Sequence, residues 1–260
     1  MRLFARRTVL RSPRVPGAVA SALVTSVLVT TALVTATPVL AAGSRPAAPA
    51  TVATTSSVLA AAKTAIAKQT AVHLEVNSKS ASSSTVEKVV ADLGLRSGTE
   101  SISDGTDAVT IIVTPTYGYI SGNTDGLTKI VGLTSAEVKK VGHAWIALKA
   151  GTSQYTSLAA DIKVSSVQTV LPTAKGTRLS VQGSTGARVY VLSWTTAATS
   201  SAPKLTSTLT FPVGGATLPI QETTTASGSK ETVTLSKWGE FVRISVPPLS
   251  DTIAYSKVTG

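Results

Sequence analysis

Two periodicities divide this chain. Between residues 55 and 70, Val58, Leu59, Ala62, Ala65, Ile66 and Gln69 recur every three or four positions, with Lys63 and Lys68 on other faces. That spacing predicts an amphipathic helix, with Thr55-Ser56 as its cap. After Ala71 the period drops to two. Leu74 and Val76 alternate with His73 and Glu75, as in a strand with one wet face. Similar runs predict strands over 85–93, 107–114, 117–121, 144–148, 177–182, 188–195, 205–211, 218–225, 231–235 and 241–246, many of them separated by Gly, Ser and Asp turns. Helical spacing returns only in the centre, over 124–133, 134–141 and 154–171. The second of these opens on Thr134 or Ser135 with Glu137 in its first turn, and the third breaks near Asp161 before Pro172.

A helix, about five strands, a helical insertion and about six strands predict an α+β fold with one large antiparallel sheet and helices on one face. A sheet of ten or more strands curls rather than staying flat. Curled with helices against its concave side, such a sheet either encloses an apolar cavity at its inward positions or packs them as a dry core. With only 11 aromatic residues (3 Trp, 5 Tyr, 3 Phe), that interior is mainly Val, Leu, Ile and Ala. Alternation groups Val109, Ile111 and Val113 on one face, Leu205 and Leu209 on another strand's face, and Val233 with Leu235. These seven are the candidate cavity positions. Alternation does not say which face turns inward.

The first 55 residues follow neither period. Arg2, Arg6, Arg7, Arg11 and Arg14 precede an apolar run over roughly 15–40 that ends in Val39-Leu40-Ala41-Ala42. A cationic start, an apolar middle and a small-residue exit predict an export signal, residues 1–41, cleaved after Ala41 or else Ala42. The run is long enough to span a bilayer, so an uncleaved anchor is the alternative. Arg6-Arg7 matches the pair of a twin-arginine signal, but Val9 stands where Phe is usual, which leaves the export route open. Residues 42–55, rich in Ala, Pro and Thr, predict a disordered lead. Residues 56–260 remain as a single domain of ordinary size, expected to act as a monomer.

Export changes the charge balance. The chain has 24 Lys+Arg against 13 Asp+Glu, and removing the five leader arginines leaves 19 − 13 = +6. These cations are scattered, without the dense basic face that nucleic acid requires. A mild positive charge outside the cell suits solubility, or passing contact with an anionic wall or membrane surface. The chain has no cysteine, so neither disulfides nor thiol catalysis operate.

Catalytic signatures are weak. His73 and His143 lack metal-ligand spacing, and each reads as a structural histidine. Ser201-Ala202-Pro203-Lys204 and Ser227-Gly228-Ser229-Lys230 both match Ser-x-x-Lys, yet lie between predicted strands with no Lys-Thr-Gly. Asp104, Asp107 and Asp125 fit turns better than a calcium loop, and no phosphate-binding glycine loop occurs. Trp145, Trp194 and Trp238 are expected to plug core rims. No enzyme and no cofactor is expected.

Gly118-Tyr119-Ile120-Ser121-Gly122-Asn123, a short helix, and then Gly142-His143-Ala144-Trp145-Ile146-Ala147-Leu148 resemble a pattern in actinobacterial secreted lipoproteins of the LppX/LprG type. Leu235-Ser236-Lys237-Trp238-Gly239, Val242-Arg243-Ile244 and Pro247-Pro248 resemble that family's tail. The resemblance covers most of residues 55–255. It implies a half-barrel similar to the LolA/LolB lipoprotein carriers, with a hydrophobic cavity for acyl chains of cell-envelope lipids or glycolipids. It departs from the family at the anchor: Leu40-Ala41-Ala42-Gly43 replaces a lipobox and offers no thiol to acylate. The function expected is therefore a secreted, non-enzymatic lipid or lipoglycan carrier. The alternative is an envelope interaction or sensory module that has a dry core and binds a protein or wall polymer.

Overall fold

The structure, a computed structural model, describes residues 53–81, 85–184, 187–199 and 203–260. The leader and nearly all of the lead fall outside these residues, as do parts of three turns between strands. Ala53–Gly260 belong to one compact unit.

Helix α1 (Thr55–Ala67) is capped by Thr54, one residue ahead of the expected Thr55-Ser56. The Thr54 hydroxyl accepts from the Ser57 N–H at 3.1 Å, while Ser57 Oγ accepts from the Thr54 N–H at 2.9 Å. This reciprocal box satisfies two otherwise orphaned donors. The helix buries one stripe, Val58, Ala62 and Ile66, at fourfold spacing.

A first meander follows: β1 (Ala71–Lys79), β2 (Val86–Gly94), β3 (Gly98–Asp104), β4 (Asp107–Val113) and β5 (Tyr117–Gly122). The helical insertion contains α2 (Thr124–Lys129), α3 (Ser135–Val141), the strand β6 (Trp145–Lys149), α4 (Ser153–Asp161) and a 3-10 helix (Val164–Val170). Asn123 caps α2 by accepting from the Gly126 N–H at 2.8 Å, and Thr134 with Glu137 closes a capping box on α3. The second meander is β7 (Arg178–Gln182), β8 (Val189–Thr196), β9 (Leu205–Pro212), β10 (Gln221–Ala226) and β11 (Ser229–Ser236). The chain closes with β12 (Thr252–Ala254) and α5 (Tyr255–Thr259).

All twelve strands form one open sheet in the order β12-β6-β5-β4-β3-β2-β1-β11-β10-β9-β8-β7. Pairing of β11 with β1 joins the two meanders, and every pairing is antiparallel except β12 with β6. The fold is the α+β half-barrel expected, with twelve strands rather than ten or eleven. β3 and β12 are additional. Residues 241–246 form no strand, and Phe241 is 88% exposed.

Strand register places one residue from each of ten strands in a single row. It runs Gly122, Val109, Ile102, Val89, Val76, Val233, Glu222, Leu209, Leu192, Leu179. All but Leu179 and the glycine are buried. This is the inner face, the one that the helices cover. Along it, Gly98 and Gly118 admit the helical layer. A Cβ at Gly98 would stand 2.5 Å from Ile162 Cγ2, and one at Gly118 would stand 2.9 Å from Leu158 Cδ2. The glycine that opens the family-like motif thus lies directly against α4, whose Leu158 side chain would have to shift to admit a Cβ.

Candidate binding face

The seven candidate cavity positions all fall on this inner face. Val109, Val233 and Leu209 lie in the row above, Ile111 and Leu235 in the next row, Val113 in the one beyond, and Leu205 further along the same side of β9. Six are buried, and Leu205 is half-buried.

They do not form one group. Val109, Ile111, Val113, Val233 and Leu235 belong to a large cluster that takes in the helical residues Leu127, Val138, Leu158 and Ile162. Leu209 belongs to a smaller cluster with Val58, Ala62, Leu192 and Phe211. Its cover is incomplete. Leu59, Leu171, Leu179, Tyr190 and Trp194 pack against it while only half-buried. Val181, on the Leu179 face of β7, is 44% exposed. The inner face is thus sealed over β1–β5 and partly open over β7–β9, where aliphatic side chains flank a tyrosine and a tryptophan.

Glu222 stands between the clusters. Its register neighbours are Val233 of the large cluster and Leu209 of the small one, and the residue is 6% exposed. Among the described residues, none donates a hydrogen bond to its carboxylate. Burial pushes the Glu222 carboxyl up to about 7, and the negative charge of Glu231 adds to the rise. One step along β10, in the adjoining inner row, Thr224 Oγ1 meets Ser207 Oγ at 2.9 Å in a buried hydroxyl pair. None of the three residues belongs to a motif. Their signal is phase: Leu218, Ile220, Glu222 and Thr224 share one face of the predicted strand, so an apolar series runs into a carboxylate.

The sheet also sorts its charges. Among the described residues, the strand cations Lys79, Lys88, Lys149, Arg178 and Lys230 lie on the outer face, where His73 Nδ1 also pairs with Asp92 at 2.7 Å. The inner face carries Glu87, Glu100, Asp104, Asp107, Glu222 and Glu231. Lys129 of α2 reaches Asp107 at 3.0 Å, and the Thr85 hydroxyl donates to Asp104 at 2.8 Å.

The tryptophans divide by face as well. Trp194 is inward and Trp145 outward, while Trp238 donates its indole N–H to the Pro219 carbonyl at 3.1 Å against the large cluster. No group of three or more His, Asp or Glu among the described residues is placed to hold a metal ion. No described helix is long and apolar enough to cross a membrane.

An open α+β half-barrel with a partly uncovered apolar inner face is the architecture so defined. Among solved structures it is similar to LprF from Mycobacterium bovis, at 16% identity and a TM-score of 0.47, over 74% of this chain and 96% of that one. It is also similar to the lipoprotein LppX of Mycobacterium tuberculosis, at 18% identity and a TM-score of 0.40, over 73% and 99%. No protein-family model and no curated protein matches the sequence.

Proposed function

We propose that this chain is a non-enzymatic carrier working outside the cytoplasm, which holds the acyl chains of envelope lipids or glycolipids against its inner face. The observation that carries this reading is the incomplete cover over β7–β9. Leu179, Tyr190, Trp194 and Leu205 stay half-buried around a fully buried Leu192, Leu209 and Phe211. An acyl chain laid there would complete the burial, at about 0.8 kcal/mol per methylene removed from water. Val233, beside Leu209 across Glu222, would extend the track toward Leu235, Val109, Ile111 and Val113 at its closed end. Loading and release need no bond made or broken. They need only the half-covered residues to exchange water for lipid.

The leader supports the location and the missing lipobox thiol supports release, because no cysteine is present to be acylated. N-terminal sequencing of the secreted form would place the cut at Ala41 or Ala42. Native mass spectrometry of the chain purified from its own envelope tests the carrier reading. Lipid adducts that leave on collisional activation are the expected result. A bare mass, together with no saturable uptake of a fluorescent acyl probe, would overturn it.

A further inference from the structure

The start of β1 gathers exposed apolar and cationic side chains that the inner face does not use. Ala71 pairs with Gly94 of β2, and its carbonyl accepts from the Gly239 N–H at 2.9 Å. The Thr70 hydroxyl donates to the Gly239 carbonyl at 3.3 Å. These contacts set the β2–β3 turn and the corner after β11 on either side of one residue. Leu95, next to Gly94, is 60% exposed, and Phe241, two residues past Gly239, is 88% exposed. Lys68, Arg96, Lys237 and Arg243 surround them, all exposed, and Glu240 is the one acid within residues 68–71, 94–97 and 237–243. Among the described residues, none of the four cations forms an ion pair. Lys237 has a φ of 49°, in the left-handed region that glycine occupies at lower cost, so this corner carries its lysine against the backbone preference. At the other end of β1, by contrast, Lys79, Lys88 and Lys230 share the rim with as many acids, Glu87, Asp104 and Glu231.

We propose that the rim at the start of β1 docks the protein on an anionic bilayer surface, with Leu95 and Phe241 entering the boundary between headgroups and acyl chains and the four cations lying against lipid phosphates. Apolar side chains ringed by unpaired cations match a surface that is anionic outside and apolar just beneath. A soluble wall polyanion would engage the cations and leave Leu95 and Phe241 in water. The rim lies apart from the partly open β7–β9 face, so docking stands independently of the carrier reading.

Flotation of the secreted form with vesicles tests this, using phosphatidylcholine alone or with about one-third phosphatidylglycerol. Binding to the anionic vesicles is expected to be at least about tenfold tighter than to the neutral ones, and to weaken as salt is raised. Phe241→Ser and Leu95→Ser should each weaken it about tenfold, and Arg96→Gln combined with Lys237→Gln about twentyfold. Because all four side chains are exposed, urea midpoints should stay those of the original chain, as should uptake of a fluorescent acyl probe. Phe241→Trp should add emission that brominated acyl chains in the vesicles quench. Equal binding to both vesicle types, no binding to either, or binding indifferent to Leu95→Ser and Phe241→Ser overturns the docking rim. Loss in the cation variant alone, with a soluble polyanion competing fully, overturns it in favour of a wall polymer. Failure of the acyl probe to bind, with vesicle docking intact, would count against the carrier reading and support the rim.

Discussion

The two meanders are built from the same strand grammar and have different fates. Over β1–β5, the inner side chains meet α2, α3, α4 and the 3-10 helix and merge into one buried cluster. Over β7–β9, among the described residues, α1 and Leu171 are what covers the face. The cluster there has five buried members, and most of β7 is exposed. Helices are what separates them. The chain places four of them between the meanders, and the glycines at 98 and 118 let that layer press onto the first. Stability is therefore concentrated in the first meander, and the second retains surface that a ligand can cover.

That division can be broken by mutation, starting where the effect is greatest. Ile146, fully buried on β6, belongs to the large cluster. Ile146→Ala is expected to cost about 2–5 kcal/mol, read as a fall in the urea midpoint at unchanged slope. A loss below about 1 kcal/mol would mean that the large cluster, which β6 shares with the first meander, is not the stable part.

Glu222→Gln comes next, at the seam. Its folded-state pKa of about 7 lies above the ordinary 4.5, so the native protein keeps this proton over a range where the unfolded chain has released it. The contribution of Glu222 to stability is thus fully present below about pH 4.5, is lost as pH rises through about 7, and stays lost above. The difference of about 2.5 units corresponds to a ceiling of about 3 kcal/mol. Glu222→Gln should stabilise the protein toward that ceiling at pH 8 and change little near pH 4, when urea midpoints are compared at both. Equal effects at the two pH values would contradict a carboxylate held in an apolar row.

Smaller effects belong to the second meander. Leu179→Ala, at a half-buried position on the edge strand, should cost less than about 1 kcal/mol in stability yet weaken acyl-probe binding several-fold. A large loss of stability with unchanged binding would reverse the roles of the two halves. Phe241→Ser, at a position almost wholly in water, should shift stability by no more than about 0.5 kcal/mol.

Period-two alternation made most of the sheet legible, and capping residues made the insertion legible: Thr134 with Glu137 marks α3 in sequence and in structure alike. β3 escaped because Gly98-Thr-Glu-Ser-Ile-Ser-Asp has a single apolar side chain, Ile102, so its strand character comes from its neighbours β2 and β4. Residues 241–246 show the converse. Phe241 to Val246 alternate well enough for a strand but pair with none, and Pro247-Pro248 withholds two backbone donors. The seven candidate positions could be grouped by face from sequence, because alternation is local. Their division between a sealed and a partly open cluster could not, since it depends on which strands the helices cover. Glu222 needed register as well: only pairing with Val233 and Leu209 shows that its neighbours are apolar.

The most direct test of the binding face uses the three tryptophans. A nitroxide-labelled monoacylglycerol is titrated into variants that retain only Trp194, inside β8, or only Trp145, on the outer side of β6, with Phe at the other two positions. Saturable quenching of Trp194 with Trp145 unaffected is the expected result. Quenching of both alike, or of neither, would contradict an acyl chain held against β7–β9.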